Sequence, residues 1–129
     1  MMRFLAIGGA LLLLSLQSVE LHSQALKGDV DRGKRVFWQC RSCHYPEQGL
    51  AHNNGPSLWA IFGKMAGKQA GFEYSQPFQQ AQFVWTPQLM DVWLQDPSKF
   101  LPNNMMMSAG VSDPQQRADL IHYLQTFKN

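Results

Sequence analysis

From Asp29 onward the apolar residues fall into three amphipathic clusters separated by long polar tracts. In "DVDRGKRVFWQC", Val30, Val36, Phe37 and Cys40 recur at roughly helical spacing, with Gly33 placed for a close helix contact. This predicts a helix over residues 29–40 with Asp29 near its N-cap. In "WTPQLMDVWLQDP", Thr86 caps, Pro87 takes the first helical position, and Leu89, Met90, Val92, Trp93 and Leu94 give the apolar side until Pro97 stops it. A third helix starts at "SDPQQ", with Asp113 as cap, Pro114 in the first turn and Gln116 completing a capping-box spacing. Its apolar face is Leu120, Ile121, Leu124 and Phe127. Between His44 and Phe83 the chain is rich in Gly, Pro, Asn and Gln and keeps neither helical nor strand period, so it reads as loop wrapped on something. No hairpin signal or useful alternating strand occurs. The pattern is all-α, with short helices and long loops.

The first 25 residues form a different unit. Arg3 precedes an apolar run, "FLAIGGALLLLSL" from Phe4 to Leu16, and Ser23-Gln24-Ala25 gives a small-x-small cleavage pattern. We expect residues 1–25 to be a signal peptide, with export to a periplasmic location, and residues 26–129 to be the mature domain. An uncleaved anchor is the alternative, although the apolar run falls short of the roughly 20 residues of a spanning helix.

At 129 residues the chain holds one domain. A net charge of +2 with 16% charged residues lacks the clustered excess of a nucleic-acid protein. The chain has only two cysteines, and their setting decides their use.

Residues 40–44 read "CRSCH". Two thiols at this spacing can add to the two vinyl groups of one haem, and the adjacent imidazole of His44 is then held under the iron as a ligand. Covalent attachment keeps a cofactor in a domain too small to bury it fully, and the loop region then has its missing core. Zinc would require further ligands, and His52 and His122 lie in unrelated contexts. A redox dithiol would require a strand before the motif, where the pattern is helical.

The motif order resembles that of the class I c-type cytochromes, the family of mitochondrial cytochrome c and soluble bacterial carriers. The likeness runs from residue 28 to residue 127 through "GDVDRGKRVF", "CRSCH", "NGPSLWAIFGKMAG", "GFEYS", Trp85, "WLQDPSKFLPNNMM" and "RADLIHYL". It implies one covalent haem c on Cys40 and Cys43, with its iron bound by His44. It further implies that the backbone carbonyl of Pro56 accepts a hydrogen bond from the His44 ring, and that Tyr74 and Trp85 bind a haem propionate. The helix carrying Gly33 and Phe37 is expected to cross the one carrying Leu120 and Tyr123. In this family the second iron ligand is a methionine four residues after the loop proline and four before its glycine; counting from Pro102 and Gly110 selects Met106. A one-residue slip would present Met105 or Met107 instead.

The resemblance implies a one-electron carrier of the respiratory chain, not an enzyme. It would be a monomer serving membrane respiratory complexes or periplasmic oxidoreductases, peripheral to the membrane or free of it after cleavage. Two alternatives are a dedicated haem subunit of a periplasmic dehydrogenase, with Trp38 and Trp59 as interface candidates, and an open-site haem protein that binds ligands or peroxide. Met105 and Ser108 replace the lysine and aromatic residue that the family often keeps beside the ligand. Lys34, Arg41, Lys64, Lys68 and Lys99 would make only a thin basic patch. Trp93 is expected in the haem pocket wall or the helix core, His52 in a solvated loop and His122 on the surface.

Overall fold

The computed structural model describes residues 26–128, so the expected signal peptide lies outside the described residues. Five helices follow in order: α1 Val30–Phe37, α2 Gln76–Gln79, α3 Pro87–Gln95, α4 Pro97–Phe100 and α5 Pro114–Leu124. Among the described residues the only β pairing is an isolated bridge between Met65 and Val84, so the fold is all-α. No described helix is long and apolar enough to cross a membrane.

Each of the three expected helices starts at its anticipated cap. The Asp29 carboxylate accepts the Arg32 N–H at 2.8 Å, Thr86 Oγ1 accepts that of Leu89 at 3.1 Å, and Asp113 accepts that of Gln116 at 2.8 Å. The ends of the first and last differ from expectation. Helix α1 stops at Phe37, and residues 38–43 continue as tight turns that carry the cysteines. Helix α5 stops at Leu124, leaving Phe127 beyond it. Val92, expected on the apolar side of α3, is half exposed, while Met90, Trp93 and Leu94 are buried. Pro97 ends α3 as expected but also opens α4, because the Asp96 side chain caps the new turn through the Lys99 N–H at 3.1 Å. Helices α2 and α4 are four residues each, too short to leave a periodic signal.

Helix α1 crosses α5 at Gly33. A Cβ there would overlap the Asp119 carbonyl and crowd the Tyr123 side chain, so only glycine allows this approach. Phe37 then packs on Tyr123 with ring centroids 5.5 Å apart. Beside the crossing lies Asp119, which is buried. Its carboxylate accepts Arg32 Nε at 2.7 Å and Nη2 at 2.9 Å, the Asp29 N–H at 2.9 Å and Gln115 Nε2 at 2.9 Å. Asp29 therefore caps α1 with its side chain and anchors it to α5 with its backbone. A second buried charge, Arg117, donates to Asp91 of α3 at 2.8 Å and to the carbonyls of Val111 and Ser112 at 2.9 Å each. It ties α5 to α3 and to the segment that follows the methionine loop.

The Arg32 hydrogen bond holds the Asp119 carboxyl down to about 2, against the opposing effect of burial. A depressed carboxyl stabilises the fold fully above its ordinary value of 3.8 and loses that contribution as pH falls toward about 2. Asp119→Asn should lower stability by about 1–3 kcal/mol at neutral pH by leaving buried donors badly matched. In thermal melts the gap between wild type and variant should close between about pH 4 and pH 2. A gap that stays constant through that window would show that Asp119 contributes through packing alone.

Candidate functional site

Cys40 and Cys43 are unbonded to each other and half-buried. Cys40 packs against the apolar core, and burial, reinforced by neighbouring Cys43, pushes its thiol up to about 11. Successive turns fix the motif: the Cys40 N–H donates to the Phe37 carbonyl at 2.8 Å, and the Cys43 and His44 N–H groups donate to the Cys40 carbonyl at 3.1 and 2.9 Å. A carbonyl only accepts, so the 2.7 Å contact between His44 Nδ1 and the Pro56 carbonyl puts the ring proton on Nδ1 and leaves Nε2 with its lone pair. Burial lowers the His44 pKa, with the Pro56 bond partly opposing it; the imidazole stays neutral, as a metal ligand must be. Gly55 lies so close to this ring that a Cβ would collide with it. The Gly55 N–H donates to the Cys43 carbonyl at 2.8 Å and that of Leu58 to Tyr45 at 2.9 Å, lacing the Pro56 segment to the motif on both sides.

Around the three methionines, residues 104–110 alternate between half-buried and exposed. That is the period of extended chain, in which successive side chains point to opposite faces. Met106 turns inward and packs on the core, whereas Met105 and Met107 turn outward. Asn104 pins the loop: its Nδ2 donates to the carbonyls of Pro97 at 3.0 Å and Leu101 at 2.9 Å, and its Oδ1 accepts the Met106 N–H at 2.8 Å. Downstream, the Ser108 N–H donates to the Met106 carbonyl at 3.0 Å, and that of Val111 to Leu94 at 2.6 Å. Gly110 makes the bend between them with φ +88°. A one-residue slip in such a segment reverses every side chain, so the pinning holds Met106, not its neighbours, on the inner face.

Tyr74 is half-buried and Trp85 buried, and both flank Phe78, with ring centroids 6.0 and 6.4 Å from it. Burial raises the Tyr74 phenol above its ordinary value, which keeps it a hydrogen-bond donor. Ser75, beside Tyr74, has a buried hydroxyl with no partner. An orphaned buried donor is costly unless an absent group satisfies it, and a haem propionate would serve the Ser75 hydroxyl. Trp93 forms the wall between, 5.2 Å from Phe78 and 5.9 Å from Trp85 and Phe100. Among the described residues no three His, Cys, Asp or Glu side chains cluster as a metal site, so the cysteine pair has no partners that would complete a zinc centre.

The Cytochrome c family model matches residues 30–128. The chain belongs to the cytochrome c family. It is 39% identical to cytochrome c of Chlamydomonas reinhardtii over 104 residues, which is 80% of this chain and 93% of that one. It is 46% identical to that of Trypanosoma brucei brucei over 82 residues, 64% of this chain and 88% of the relative. With cytochrome c of Ginkgo biloba the identity is 35% over 104 residues, 80% and 92% of the two chains. The cofactor of this cytochrome c is covalently attached haem c with its iron, and its function is haem electron transfer with redox partners. The residues present fit that group, through two thiols, a neutral imidazole, an inward thioether and an unsatisfied buried hydroxyl on Ser75, next to Tyr74.

Sequence reading missed three residues of the site. Ser75 was visible only as the end of "GFEYS", and Asn104 only as half of an Asn-Asn turn. His52, expected in a solvated loop, is instead half-buried: Nδ1 accepts the Ser57 N–H at 2.9 Å, Nε2 donates to the Ala70 carbonyl at 2.9 Å, and Phe72 packs edge-on at 5.5 Å. It staples the segment after the motif to the loop leading to Tyr74. His122 is exposed.

If Met106 is the thioether ligand, Met106→Ala should abolish that ligation outright, because Met105 or Met107 would have to turn the pinned segment over to reach the iron. NMR of the ferrous variant should show no iron-bound methionine methyl resonance. A resonance surviving at partial intensity would show that a neighbour swings in.

Proposed function

We propose that this cytochrome c is a diffusible one-electron carrier whose haem is attached through Cys40 and Cys43 and ligated by His44 and Met106. The observation that carries this is Met106, held inward on a loop pinned before and after it. A thioether is a weak, neutral ligand that favours the ferrous state, so Met106 would give the group it holds one-electron chemistry at high potential. The chain's own part is positional. Pro56 orients His44 and strengthens it as a ligand, Asn104 sets Met106, and Tyr74, Ser75 and Trp85 hold the propionate edge. With His44 and Met106 both holding the iron, the chain would leave no place there for a substrate, and the group would supply one-electron exchange in a short-lived encounter with a redox partner.

The expected signal peptide supports a periplasmic location, with membrane respiratory complexes or periplasmic oxidoreductases as partners and a monomeric carrier between them. The basic patch is thinner than its residue list. Arg41 is engaged by Glu47 at 2.6 Å, and Lys64 donates to the Trp59 carbonyl at 2.6 Å. A second reading, a dedicated subunit of a dehydrogenase, draws on Trp38, which is 71% exposed beside the attachment motif.

Carbon monoxide added to the purified ferrous protein at neutral pH should leave the visible spectrum unchanged. Rapid, complete binding would mean an open iron and would overturn the carrier reading. Raising ionic strength from low to physiological should change the rate of electron exchange with a redox partner by less than about tenfold. A steeper fall would show that the remaining lysines steer association.

A further inference from the structure

Electron transfer uses one of the three methionines and leaves the other two without a role. Met105 is 74% exposed and Met107 fully exposed, both on the outer face of the segment whose inner face presents Met106. Unbranched thioethers at neighbouring positions in water contribute nothing to the core. Their chemistry is that of an accessible sulfur lone pair. We propose that Met105 and Met107 are sulfoxidation sites that intercept two-electron oxidants before they reach Met106. The proposal rests on the assignment of Met106 as the iron ligand.

Three features combine. Susceptibility of a thioether follows its exposure, and Met105 and Met107 are the most exposed methionines among the described residues; Met90 is 4% exposed and Met65 44%. Met106 is half-buried, and as a ligand its lone pair is engaged by iron. The loop geometry, finally, keeps outer oxidation away from the contacts that set Met106. The hydrogen bonds that set Met106 use Asn104 and backbone groups, not the side chains of Met105 or Met107. A sulfoxide oxygen on either outer residue projects into water and displaces nothing. The same change at Met106 would put a polar oxygen against the apolar core and remove the ligand.

With hypochlorous acid as oxidant, a sulfur–oxygen bond forms as the oxygen–chlorine bond breaks. Sulfur gives up two electrons, which leave with chloride, and the proton passes to solvent. The products are one sulfoxide, one chloride and one proton. Sulfoxides of this kind are reducible by methionine sulfoxide reductases, so the modification is reversible in principle.

The test treats the ferric holoprotein with hypochlorous acid at one equivalent per exposed outer thioether, then reads two signals. Peptide mass mapping should find sulfoxide at Met105 and Met107 with Met106 unmodified, and the far-red absorption band of thioether-ligated ferric haem should persist. In the Met105→Leu/Met107→Leu variant, whose apolar surface is kept, the same oxidant should erase that band severalfold more completely. Equal loss of the band in both proteins would overturn the proposal. So would Met106 sulfoxide appearing before that of its neighbours. Absence of the band before any oxidant would count instead against Met106 as ligand, while the order of oxidation among the three methionines is read from peptides independently of the band.

Discussion

The crossing of α1 over α5 at Gly33 is the contact on which the rest of this protein depends. The haem motif begins three residues after the last residue of α1, so whatever fixes that helix fixes where Cys40, Cys43 and His44 stand. Gly33 sets the distance, since any larger residue would push the Asp119 backbone away. Asp119 sets the orientation, since its carboxylate binds both the N-terminal N–H of α1 and the Arg32 side chain one turn later. One steric and one polar constraint at a single point thus locate the cofactor attachment. Burial of Phe37, Leu120 and Leu124 around that point supplies the apolar stabilisation without choosing the geometry.

The two sides of the haem site are built by different physics. On the proximal side the proposed ligand, His44, is contiguous with the two cysteines, and successive turns plus one ring-to-carbonyl bond suffice to aim its ring. On the distal side no helix presents Met106. An extended segment does so, held by the amide of Asn104 and by backbone bonds to Leu94 and within the loop. Arg117 reinforces this from below, since it grips the carbonyls of Val111 and Ser112 just past the loop and Asp91 of α3. The proposed distal ligand is therefore supported by polar contacts spread over α3, α4 and α5. The cooperativity of those elements, more than local propensity, decides whether Met106 stays inward.

What was legible in the sequence follows from this division. Caps, prolines and the Cys-x-x-Cys-His spacing are local, and Asp29, Thr86, Asp113 and the motif were readable because their partners lie within three or four residues. The four-residue helices at Gln76 and Pro97 left no periodicity to read. The roles of Ser75, Asn104 and His52 were hidden for a different reason: each is a polar side chain satisfied, or left wanting, by groups that only the fold or the cofactor brings near. The apolar face of α3 was overread at Val92, because helical spacing marks a stripe without saying where packing ends.

Surface charge and surface sulfur are connected. With Arg41 paired to Glu47 the basic patch is thin, and a carrier of the proposed kind would draw little electrostatic steering from it. Association of the proposed carrier through this loop would then rest more on apolar area, of which Met105 and Met107 supply a flexible, polarisable share. The same two thioethers would then lie where association and the proposed oxidation compete. A sulfoxide makes the side chain polar and so weakens an apolar encounter, while the inner face and the ligand it carries are left as they were. Alternation along one extended segment thus separates the group that sets the redox chemistry from the groups that meet the surroundings. A helix could not have done this with three consecutive residues, because its side chains would fan about 100° apart instead of alternating between two faces.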